Sequence, residues 1–74
     1  MATTLQAEAK LLYLRKYDRL GLDAQLKKME MQAKSGWLKE IGTISKVLND
    51  IRNDASVMRM ARDRADRLLK LAGN

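Results

Sequence analysis

No proline interrupts this chain, and glycine stands only at positions 21, 36, 42 and 73. Proline breaks a helix by removing a backbone donor, and glycine weakens one through its backbone entropy. With so few breakers and an abundance of Ala and Leu, the chain is directed toward helix almost throughout. The pattern predicts a single all-α domain over residues 1–74, with three or four amphipathic helices in a small bundle or helical hairpin. The segments fall at about 4–20, 24–34, 36–53 and 55–72.

Local signals set those limits. Thr3 followed by Gln6 has the form of a capping box. Leu5, Ala9, Leu12, Tyr13, Tyr17 and Leu20 make an apolar stripe, which Ala7, Leu11 and Leu14 widen, so this helix is expected to meet more than one neighbour. Gly21 offers a C-cap, and Asp23 an N-cap for a second helix with a thin apolar face of Leu26, Met29, Met31 and Ala33. Ser35-Gly36 reads either as a bend, the preferred reading, or as a position inside one long helix. Asn53-Asp54-Ala55-Ser56 reads either as a turn or as a polar patch within one long helix. Gly73 follows the last apolar residues, where a helix stop belongs.

Size adds a second constraint. Chains below roughly 70–80 residues usually need a disulfide, a metal or a partner to hold a core. With 74 residues, no Cys and no His, this one has no disulfide and no thiolate or imidazole metal ligand. Association is the remaining staple, so a homo-oligomer or a protein partner is expected.

The segment IGTISKVLN, residues 41–49, resembles part of a DNA-reading helix-turn-helix. That motif needs a tight turn between its two helices. Only Thr43 separates Gly42 from Ile44, which leaves the turn no room. A packing surface fits the segment better. Trp37, Ile41, Ile44, Leu48 and Ile51 are spaced 4, 3, 4 and 3, a short heptad seam with Leu38 and Val47 beside it. Val57, Met58, Leu68 and Leu69 extend the apolar surface, and Gly42 beside the seam suits a close helix approach. Trp37, the sole Trp, suits an interface anchor or the top of the seam. Met31 and Met60 fall off the stripes and are expected at the surface of a monomer.

The chain carries 15 Lys and Arg against 9 Asp and Glu, a net charge of +6. Such a balance favours anionic partners, nucleic acid among them. Arg52, Arg59, Arg62, Arg64 and Arg67 are the candidate phosphate contacts. Acids are interleaved with them, and Asp63–Arg67 and Asp66–Lys70 have the favourable i, i+4 order of a solvated ion-paired face. Lys10, Arg15, Lys16, Arg19, Lys27 and Lys28 form a second basic group around the first bend.

Catalysis finds no support. Without His or Cys, no serine has an evident base, and no phosphate loop or acidic metal spacing occurs. No cofactor or small-molecule substrate is expected. MATTLQAEAK lacks the form of a signal peptide, and no apolar run is long enough to span a membrane. The expected setting is cytoplasmic or inside an assembled particle. The reading that results is a non-enzymatic helical interaction or assembly protein, with the general look of a bacterial or bacteriophage structural or accessory component. A small, basic, dimeric nucleic-acid-binding protein or transcriptional regulator is the alternative.

Overall fold

The computed structural model describes residues 4–73, with side chains from residue 6 onward. The capping role of Thr3 and the place of Leu5 in a stripe fall outside that description. The fold is all-α, with helices α1 (Thr4–Tyr17), α2 (Arg19–Gln32), α3 (Leu38–Thr43), α4 (Ser45–Arg52) and α5 (Arg59–Leu71).

The first boundary lies three residues before the expected one. Asp18 leaves helical geometry (φ −146°, ψ 87°), and its Oδ1 accepts the Gly21 N–H at 2.9 Å. Asp18, not Asp23, is therefore the N-cap of α2, and Gly21 lies in the first turn of that helix rather than closing α1. Its role is spatial: a Cβ there would stand 2.5 Å from the Asp18 Oδ2 and 3.0 Å from a Leu14 methyl. Asp23 is an internal residue of α2.

The bend at Ser35-Gly36 is present. Residues 33–37 form a wide turn in which Gly36 takes φ 103°, a left-handed conformation that side-chain-bearing residues rarely adopt.

The segment expected as one helix over 36–53 is split at Ile44 (φ −111°, ψ 22°). There the Ile44 N–H donates to the Ile41 carbonyl at 3.1 Å, and the Thr43 hydroxyl donates to the Glu40 carbonyl at 2.6 Å. The run Gly42-Thr43-Ile44 places glycine before two β-branched residues, all poor helix formers, so the break costs little.

A turn then occupies 53–58, and α5 begins at Arg59 rather than at 55. Asp54 organises this turn: its Oδ1 accepts the Ser56 N–H at 2.9 Å and the Ser56 hydroxyl at 2.6 Å. Val57 turns into the core, and Met58 is extended and leads into α5.

The helices close on one apolar centre. α5 packs against α4 and α2, and α1 packs against α2 and, less extensively, against α4. Leu11, Leu22, Leu26, Met29, Ile41, Leu48, Ile51 and Leu68 are fully enclosed, and no polar or charged described residue is buried with them. The radius of gyration, 10.8 Å, matches the roughly 11 Å expected of a folded chain this long.

Candidate functional site

The heptad seam is inside the bundle. Ile41, Ile44, Val47, Leu48 and Ile51 are buried, as are Val57, Leu68 and Leu69. Trp37 and Met58 are half-buried against the same core, and Leu38 is exposed. The seam presses on α5, where Ala61 and Ala65 let the helices approach. In this conformation these side chains cover one another within a single chain, and of the expected interface residues only Leu38 lies open. Gly42 mediates no close approach, since a Cβ there would meet nothing within 4 Å.

The five arginines do not form a ridge. Arg64 is drawn to α2, with its Nε 2.8 Å from the Asp23 carboxylate and its Nη1 3.8 Å from Glu30. Arg67 reaches Glu30 at 3.0 Å, so it bridges helices instead of pairing with Asp63. Arg52 ties α4 to α5 through Asp66 at 3.3 Å and also bonds Asn49. Arg59 stands out in solvent 3.9 Å from Asp63. Arg62 is half-buried, and its shielded Nε has no hydrogen-bond partner. Three of the five thus serve as internal ties between helices.

A second set of ties holds the first bend to the 53–58 turn. Arg15 Nε lies 2.9 Å from Asp54, and Arg19 donates to the Ser56 carbonyl. The Ser56 hydroxyl and N–H, and then the Arg15 guanidinium, hold the Asp54 carboxyl down to about 2. Asp66 is also held below the usual carboxylate range, first by Lys70 at 2.9 Å and then by Arg52.

What remains outside is different from the expected surface. α1 turns Ala7, Leu11 and Leu14 inward and leaves Leu12 and Tyr13 exposed at 45% and 61%. Tyr17 continues that face at 65% exposure, and Leu20, in the first turn of α2, is 78% exposed. The Tyr13 and Tyr17 rings stand 5.0 Å apart, and Lys16 Nζ lies 5.4 Å from the Tyr17 ring centroid. The stripe expected to face the core is thus the solvent face of α1, and the residues that merely widened it form its core face. Lys16, between the two tyrosines, was the available signal. A lysine in the middle of a stripe argues for water, whereas Ala7, Leu11 and Leu14 have no charged residue among them. Met31 and Met60 are exposed, as their positions off the stripes predict.

The lysines of the second basic group are not engaged by acids. Arg15 is paired, but Lys10, Lys16, Lys27 and Lys28 make no ion pair among the described residues. The folding back of α2 on α1 brings Lys10 and Lys28 to the rim of one cleft, with Trp37 in its wall. Among the described residues, no helix is long and apolar enough to cross a membrane. No protein-family model, curated protein or solved structure matches the chain.

Proposed function

We propose that this protein is a non-enzymatic assembly protein whose bundle pairs with a second copy through the outer face of α1. The observation that carries the reading is the line Glu8–Leu12–Lys16 on that face. These residues are spaced i, i+4 and i+8, with Ala9 and Tyr13 beside them. Neither Glu8 nor Lys16 has an ion-pair partner among the described residues. Both lie four residues, or about 6 Å of helix rise, from Leu12. A two-fold axis through Leu12, with the helices antiparallel, sets each Glu8 level with the other copy's Lys16. The face is therefore self-complementary in charge about an apolar centre, as a two-fold interface requires.

The exposed apolar residues are few for the roughly 800 Å² per partner of a standard interface. Pairing is accordingly expected to be concentration-dependent.

Light scattering over a concentration series tests the reading. The mass should rise from 8.4 kDa toward twice that value. Glu8→Lys or Lys16→Glu alone should hold the protein at the monomer mass with its helicity intact, and the double variant should restore pairing. A monomer at every concentration up to about millimolar, where weak complexes form, would sink the proposal. So would a double variant that pairs no better than the single ones.

A further inference from the structure

We propose that the cleft between α1 and α2 binds single-stranded nucleic acid, taking a phosphate on Lys10 and Lys28 and a base against Trp37. The cleft has a volume of about 320 Å³, within the lower range of ligand clefts. Lys10 comes from α1, Lys28, Gln25 and Gln32 from α2, and Trp37 from the end of the 33–37 turn. A second depression of about 340 Å³ shares Lys28, Gln32 and Trp37 and continues toward Met31 and Ser35. The half-buried indole thus borders two adjoining depressions, with a lysine and an amide common to both.

The electrostatics set this surface apart. Among the described residues, no carboxylate lines either depression. Neither Lys10 nor Lys28 is neutralised by an ion pair among the described residues, whereas Arg52, Arg64 and Arg67 are. An anion is the favoured occupant. The indole adds a flat apolar surface, and the glutamine amides can both donate to and accept from a polar ring edge. Phosphate and a stacked planar ring together define a nucleoside phosphate. The continuation past Trp37 accommodates a neighbouring unit, which points to a strand rather than a free nucleotide. Aromatic platforms beside cationic grooves are how single strands are held without sequence preference. A duplex keeps its bases stacked and unavailable to the indole. This site is separate from the pairing face on α1, so either proposal can fail alone.

The full chain reports on the site directly, because Trp37 is its only Trp. A short oligothymidylate should quench the indole fluorescence at low salt. A fluorescein-labelled copy should give the affinity by anisotropy. Each phosphate contact contributes about −0.7 to the slope of log K against log salt for single strands. Lys10→Gln and Lys28→Gln should each flatten that slope, by about 0.7 when combined, and weaken binding, with circular dichroism and melting unchanged because both lysines are exposed. Arg59→Gln, at an exposed position of α5 that lines neither depression, should leave affinity within about two-fold, as for a charge that contacts no phosphate. Loss of base stacking corresponds to roughly 5- to 150-fold in affinity. Trp37→Ala should show such a loss, and Trp37→Phe, which keeps a ring against the core, should retain most of the binding. Four results would overturn the proposal: no binding at low salt, equal loss from Arg59→Gln and Lys28→Gln, tighter binding of duplex than of single strand, or thymidine monophosphate binding as tightly as the oligomer.

Discussion

Replacing Leu48 by Ala separates a chain that completes its own core from one that needs a partner to do so. Leu48 lies on α4 against α5 with no exposed surface. Leu→Ala at enclosed sites costs about 2.7–5 kcal/mol, from lost transfer energy plus the cavity left behind. At ~0.05–0.15 kcal/mol per residue, a domain of this length holds about 4–11 kcal/mol in all. The substitution therefore removes a quarter or more of the stability. With a shift of about 4–8 °C per kcal/mol for a domain this small, melting should fall by at least 10 °C, or about 11–40 °C across that range. Leu38→Ala, at a site 40% exposed on the same segment, should change stability by no more than about 1 kcal/mol. The assay is thermal and urea unfolding, each at two protein concentrations a hundredfold apart. If the seam is internal, the Leu48→Ala loss is the same at both concentrations. A partner that bound only the folded form would raise the midpoint with concentration. A loss under about 1 kcal/mol, or one that vanishes at high concentration, would refute the internal assignment of the seam.

Two further perturbations test the local chemistry. Gly42→Ala should stabilise the protein by about 0.5–1 kcal/mol, since helical alanine is preferred and the space is open. Gly21→Ala should fail to gain, or lose up to about 1 kcal/mol, because the new methyl displaces the Asp18 cap. Equal gains at both sites by denaturant titration would show that the cap contributes nothing. Asp54 has its pKa depressed to about 2 in the folded state, so its contribution is present above the unfolded value near 4 and is lost as pH falls toward 2. Melting temperatures of wild type and Asp54→Asn should differ above about pH 5 and converge between pH 4 and 2; a constant offset down to pH 2 contradicts the assignment.

The elements that sequence pattern located well are those with one dominant signal. The Gly36 bend was visible because only one residue type tolerates its φ, and the α4–α5 core because Leu48, Ile51, Leu68 and Leu69 recur at helical spacing. The first bend was misplaced because Asp18 and Gly21 act as a pair. Gly21 alone reads as a stop, and only the space its missing Cβ leaves shows it serving a cap three residues earlier. The break at Ile44 was hidden because a heptad rhythm passes through it unchanged. A small kink keeps Ile41, Ile44 and Leu48 on the core side while altering the backbone between them. Arg64 and Arg67 looked available to phosphate because their partners, Asp23 and Glu30, lie some 40 residues away in sequence. No local pattern encodes such a pairing. The tyrosine face and the Lys10–Lys28–Trp37 cleft were obscured for the same reason, since both depend on how α1 lies against α2.

The size argument pointed to an external staple, and the bundle carries internal ones as well. Helical packing dense in Leu and Ile is itself a route to stability at this length. Here α2, α4 and α5 use it, with Ala61 and Ala65 bringing the helices close. Three ties then fix segments remote in sequence: the partly buried Arg15 to Asp54 and Arg64 to Asp23, and the more exposed Arg67 to Glu30. Single ion pairs of this kind contribute little to stability, but each selects one registry of the helices over its neighbours. It follows that folding makes no demand on Leu12, Tyr13, Tyr17 or the unpaired lysines of α1 and α2. Large aromatic side chains held in water, beside cations without counter-charges, are consistent with selection for something other than folding. Substitutions there should change association or ligand binding while leaving the melting of the dilute, unpaired protein alone. Those along Ile41, Leu48 and Ile51 should do the reverse. A Tyr13 variant that unfolds the bundle as severely as Leu48→Ala would show that this division of labour is wrong.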